Sequence, residues 1–141
     1  FGAEEIGLVG AKAYAEKHAA EVAKHVVGAE SDFGAGKIWQ FDTRFAEQHL
    51  GKADEMHRIL APLGIARGSN TANGGPDIGA LRQLGMPVVV LKQNGWDYFD
   101  LHHTPDDTLD KIAPADVAQN VAAYAAFIWM SANIDGDFRA N

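Results

Sequence analysis

The sequence predicts an α/β fold, a three-layer α/β/α sandwich around a mostly parallel, mixed sheet. Two observations carry this. Stretches with helical apolar spacing alternate with short β-branched runs along the 141 residues, a pattern that places helices on both faces of a largely parallel sheet. The run MPVVVLKQ (86–93) is apolar without alternation, as a strand buried on both faces requires. The length suits one domain with one core.

In chain order, Phe1 reads as the last residue of a strand whose start lies upstream, since no initiator Met precedes it. From Ile6 to His18, apolar Ile6, Val9, Ala13 and Tyr14 recur at helical spacing, and the small Gly7 and Gly10 permit close packing on a sheet. The stretch KHVVGAESD (24–32) reads as a strand ending in acids, and KIWQF (37–41) as a second, shorter one. A helix is expected over 53–64, stopped by Pro62 and Gly64. Another is expected within 73–85, with Pro76 in its first turn and Gly85 at its end. After the 86–93 strand, residues 93–108 form a long polar and aromatic loop. The last helix, 114–130, carries Val117, Val121, Tyr124 and Ile128 on one stripe. Its second half is apolar almost all round, which implies deep packing or a partner.

Hydrophobic residues make up 47% of the chain and charged ones 22%, ordinary for a globular protein. A net charge of −7 argues against nucleic acid or an anionic membrane as partner, because both select basic surfaces. Cysteine is absent, so disulfides and thiolate metal sites are excluded. No apolar run reaches the roughly 18 residues of a membrane span, and no signal peptide is recognisable.

In an α/β sheet, functional groups gather on loops at the carboxyl ends of strands. Three stretches fall there: AEE after Phe1, ESD after Val27, and DLHHTPDD after the 87–92 strand. They offer Glu4, Glu5, Glu30, Asp32, His102, His103, Asp106 and Asp107, a set of oxygen and imidazole ligands suited to divalent cations. Adjacent glutamates suit a division of labour in which one binds metal and its neighbour takes a proton from water. Each residue also has a plain structural role open to it. Acids at a helix start favour the helix dipole, Glu30 and Asp32 can be loop acids or a cap, the histidines can be surface residues, and TPDD can be a cap.

Taken in order, FGAEEIGLVGAKAYAEKH, ESDFG, GGPDIGALRQLGMPVVVL and HHTPDDTLDKI resemble the zinc aminopeptidases and carboxypeptidases of the plasma glutamate carboxypeptidase type, which include bacterial leucine aminopeptidases. The resemblance runs from Phe1 to about Met130. It implies an α/β/α sandwich holding two zinc ions. It further implies hydrolysis of a terminal bond of a peptide or dipeptide, by water held at the zinc pair, with Glu4 as general base. Glu5 would bind one zinc and Asp32 the other. The last histidine ligand lies four residues before the Asp107–Thr108 pair, which selects His103 over His102. A secreted or periplasmic location is implied as well.

Such enzymes also use a histidine and a bridging aspartate upstream of the AEE segment, and no equivalent precedes Glu4. Residues 1–141 therefore read as the C-terminal part of a di-zinc catalytic domain, inactive alone, with a sheet edge through which a homodimer could form. Two rival readings stand beside this one. The chain could be a non-catalytic module of peptidase shape that serves binding or assembly, since fold does not fix function. It could also be related to single-zinc enzymes that cyclise N-terminal glutamine.

Overall fold

The computed structural model describes residues 1–139. Four strands form one mixed, open sheet in the order β1 (Gly28–Ala29), β4 (Val88–Gln93), β2 (Ile38–Arg44), β3 (Ala66–Arg67). β1 and β4 are parallel, as are β2 and β3, but the longest pairing, β2 with β4, is antiparallel. The sheet is therefore mixed at its centre.

Helices cover both faces. On one side, α2 (Leu50–Leu60) and α5 (Pro114–Asn133) pack Met56, Leu60, Ala123, Phe127 and Met130 against Ile38, Phe41, Val89 and Leu91. On the other, α1 (Val9–Lys17) and α3 (Gly79–Gln83) place Ala15 and Leu81 against Val88, with Tyr14, Ile78 and Val90 around them. Successive residues of β4 thus feed opposite cores, which is why its sequence does not alternate. A short helix, α4 (Tyr98–Leu101), lies in the loop after β4. Among the described residues no helix is long and apolar enough to cross a membrane.

Several expectations change. The strand read over 24–32 is mostly absent: Ala19–Lys24 forms a 3-10 helix, and only Gly28–Ala29 joins the sheet. The carbonyls that a ladder would need are engaged by a side chain, since Arg139 donates to those of Val22 and His25. The first helix starts at Val9, because Ala3, Gly7 and Leu8 adopt left-handed backbone and fold residues 2–8 into turns. Pro76 precedes α3 rather than opening it, and α3 has five residues. The stripe of α5 that meets the sheet is Asn120, Ala123, Phe127 and Met130, whereas Val117, Val121 and Ile128 are exposed. β3 and α4 gave no signal in the sequence, being only two and four residues long. Phe1 pairs with no strand among the described residues.

Two buried polar groups tie the layers together. Asp42 faces away from the α2/α5 core and accepts hydrogen bonds from Gln40 Nε2 (2.8 Å), the Ser69 N–H (2.7 Å) and Lys92 Nζ (2.7 Å). Burial pushes its carboxyl up, but these donors outweigh burial and hold it below the usual aspartate range. Gln93, at the end of β4, donates from Nε2 to Asn120 Oδ1 (2.8 Å) and to the Gly34 carbonyl (2.7 Å), while Asn120 Nδ2 donates to the Gly36 carbonyl (3.0 Å). This pair pins the 31–36 loop to the sheet and to α5.

A carboxyl depressed in the fold contributes stability that is present above its unfolded value and lost as pH falls through its folded value. Replacing Asp42 with Ala is expected to cost about 1–3 kcal/mol, since it strands the Gln40 and Ser69 donors while Lys92 regains water. Urea midpoints measured from neutral pH down through the acid range check this. The wild type should lose stability over that window more steeply than Asp42→Ala, and equal slopes would refute the role given to Asp42.

Candidate metal centre and active site

β1 and β4 run parallel, so the loops that follow them leave the sheet at the same end. The loop after β1 carries Glu30 and Asp32, and the segment after β4 carries His102 and His103. The turns before α1 bring Glu4 and Glu5 to that same end. Gly7 and Leu8 donate backbone hydrogen bonds to the Glu4 carbonyl (3.0 and 2.8 Å), and Gly10 donates to that of Gly2 (3.0 Å). A Cβ on Gly10 would lie 2.5 Å from the Gly2 carbonyl oxygen, so only glycine lets residues 1–3 fold back onto the start of α1.

His103 Nε2 lies 2.9 Å from Glu5 Oε1. His102 stacks on His103 with ring centroids 3.7 Å apart, and Glu5, His102 and His103 each present a ligand atom within 4.8 Å of the others. The stack continues through Tyr98 (4.7 Å from His102) to Phe33 (4.2 Å from Tyr98), which directly follows Asp32. His103 has φ 59°, a strained left-handed geometry held by this packing.

Asp32 is exposed and outside the Glu5/His102/His103 group, but its carbonyl accepts from the Tyr98 hydroxyl at 3.5 Å. Its carboxylate acts on Glu4 across the site. The Glu4 carboxyl is raised above the ordinary range, first by desolvation, then by the charges of Glu5, Asp32 and Asp77. Glu30 is raised by burial and by Asp32 and Asp77, although the Ile78 N–H (3.1 Å) opposes this. Burial, with Asp32 and Glu5 next, raises the Tyr98 hydroxyl.

Sequence reasoning gave no role to Asp77, which is buried with one carboxylate oxygen on the Phe1 nitrogen and the other without a partner. Its signal was the preceding Gly74–Gly75–Pro76, two glycines at positive φ that let the chain turn tightly against Glu30. Nor did reasoning single out Phe33 and Tyr98, whose stacking is a tertiary fact. Asp106 and Asp107 lie in a turn closed by Thr104.

The donor set fits a divalent cation. Two imidazoles and a carboxylate converge, and the surrounding acids repel one another, an imbalance that a cation would offset. Two cavities adjoin it and share Phe33. One of about 450 Å³ is lined by Trp96, Tyr98 and His102, and one of about 410 Å³ by Glu30, Asp32 and Trp39.

A model of peptidase family M28 matches residues 1–128. Carboxypeptidase Q of Rattus norvegicus is 29% identical over 133 residues, and that of Homo sapiens 28% over 135. The match covers 94% of this chain but 28% of either relative, so the chain spans little more than a quarter of their length. The crystal structure of a peptidase M28 precursor from Shewanella amazonensis SB2B superposes with a TM-score of 0.96 at 52% identity, over 99% of this chain and 32% of that one. The chain belongs to peptidase family M28.

Proposed function

We propose that the intact protein carrying this chain is a metal-dependent exopeptidase, with Glu4 as general base, Glu5 and His103 as ligands of one zinc ion and Asp32 as ligand of a second. The observation that carries it is the 2.9 Å approach of His103 to Glu5, beside a Glu4 carboxyl raised by desolvation and then by its acidic neighbours. The name of the relatives, carboxypeptidase Q, supports cleavage at a chain terminus. Zinc bound here would act as a Lewis acid toward the scissile carbonyl and make water a nucleophile near neutral pH.

Glu4 then takes the proton of the attacking water and passes it to the leaving amine. Its raised pKa suits both transfers, because a base far more acidic than the medium has little affinity for the proton it must hold. Glu5, engaged with His103, does not compete for that proton. The cavities on either side of Phe33 offer places for the residues flanking the cleaved bond of a peptide or dipeptide. A secreted or periplasmic location belongs to the same proposal, and fractionation of the source cells checks it.

Catalytic zinc takes three protein ligands. Glu5, His103 and Asp32, even with His102 in reach, do not complete two such sets, so further ligands are required and the 141 residues alone should be inactive.

In the intact protein, Glu4→Gln should lower kcat on a dipeptide by about 10²–10⁴-fold with zinc content unchanged, as expected of a general base. Glu5→Gln should lower zinc content together with activity. Equal zinc loss in both variants would show the two roles to be wrong. One zinc ion per wild-type molecule would favour the cyclase reading, and none would favour the non-catalytic module. Calorimetric titration of the 141-residue chain should show no pair of zinc ions bound with sub-micromolar affinity.

We also propose that the chain self-associates as a two-fold dimer. β1 pairs on one side only, and Val121, Ile128 and Trp129 expose apolar surface on α5. The net charge of −7 opposes association but acts weakly at physiological salt. Sedimentation equilibrium over a wide concentration range decides it, and a single species near 15.1 kDa throughout would rule the dimer out.

A further inference from the structure

At the end of β4 remote from the acids, where Met86 and Pro87 lead into the strand, an open groove of about 740 Å³ is lined by Arg44, Arg82 and Arg139. Only Arg58 and Arg67 lie elsewhere in the sequence. Among the described residues no carboxylate lines the groove, and the rest of its wall is apolar, including Phe45, Met86 and Phe138. Three guanidinium groups around one apolar-walled depression are unusual on a chain of net charge −7.

The three arginines differ in how their charge is met. Arg139 is neutralised locally: its Nη1 donates to both oxygens of Asp137 (2.9 Å each), and its Nη2 to the Val22 carbonyl (2.7 Å). Arg44 donates from Nε to the Ala72 carbonyl (2.5 Å) and from Nη2 to that of Thr71 (3.1 Å), contacts that orient the group without offsetting its charge. Arg82 projects from the last turn of α3, and its Nε is buried with no hydrogen-bond partner. Neither Arg44 nor Arg82 has a carboxylate partner among the described residues. A guanidinium charge beside an apolar wall with no carboxylate to meet it favours an anionic partner.

We propose that this groove binds a small free oxyanion of the phosphate or carboxylate class, held by the forks of Arg44 and Arg82. Planar guanidinium groups match such anions with paired N–H donors, and the apolar walls strengthen the attraction by limiting water. The anion supplies the negative charge that both arginines lack. The site stands at the opposite end of the sheet from the metal ligands and is independent of the hydrolytic reading.

Inorganic phosphate is the probe. The intact protein, treated with a chelator so that phosphate finds no metal, is titrated calorimetrically against a sodium chloride control of equal ionic strength. Saturable binding is expected. Arg82→Gln and Arg44→Gln should each weaken it by about ten- to a hundredfold, the range for losing one charge-assisted hydrogen bond. Arg58→Gln, an exposed arginine away from the groove, should leave it unchanged. If Arg82→Gln does not fold, as judged by circular dichroism, Arg44→Gln carries the test, since Arg44 is exposed. Absence of saturable binding, indifference to either groove substitution, or an equal loss in Arg58→Gln would each overturn the proposal.

Discussion

The burial of β4 on both faces is the constraint from which the rest of the structure follows. Val89 and Leu91 lie in the α2/α5 core, and Val88 lies with Val90 against α1 and α3. Each such side chain removed from water contributes about 1.5–3 kcal/mol, so helices on both sides are required for the strand to be worth forming. The strand then orders its neighbours. Pairing in parallel with β1 brings two loop exits to one end, and pairing antiparallel with β2 brings the start of β2 there too. Gln93 closes that end by linking β4 to Asn120 of α5 and to the 34–36 backbone. The loop bearing Asp32 and Phe33 is therefore positioned from within the core, although both residues are at the surface.

The site uses strain that this framework can hold. Ala3, Leu8 and His103 occupy left-handed backbone, where side chains other than glycine are disfavoured. Two of these positions flank the glutamate pair, and the third is the histidine that meets Glu5. The stacked series Phe33, Tyr98, His102, His103 spans two loops and ends at the turn before α1. Distortion in any one of these segments would be transmitted to the others. The acids respond to being gathered in this way: Glu4 and Glu30 both move above the ordinary carboxylate range, with mutual repulsion added to desolvation.

What the sequence made legible was whatever depends on local pattern. MPVVVLKQ announced β4 by lacking alternation, and Pro114 followed by an alanine-rich run announced α5. That ESD and HHTPDD leave the sheet at one end was also readable, because they follow parallel strands, whereas AEE reaches that end by turns with no paired strand before it among the described residues. Composition misled at 24–32, where β-branched Val26 and Val27 suggested a strand that side-chain contacts from Arg139 and His25 largely replace. The buried face of α5 was misassigned because Asn120 looks polar in sequence and is buried in fact, through its bonds to Gln93 and Gly36. Asp77 was passed over for the same reason. Its burial and its reach toward Glu4 arise from a fold that no local pattern encodes.

The sheet also separates charge. Its carboxyl end collects Glu4, Glu5, Glu30, Asp32 and Asp77, and the far end of β4 opens into the groove of Arg44, Arg82 and Arg139. Asp137 offsets only Arg139. At physiological ionic strength charges more than about 8 Å apart are largely screened from one another when exposed. The two ends therefore do not neutralise each other across the core, and each must meet its charge locally. At the acidic end the proposed divalent cation would answer the excess, and at the basic end the proposed anion would do the same. One strand, buried along its length, thereby separates two sites of opposite electrostatic demand.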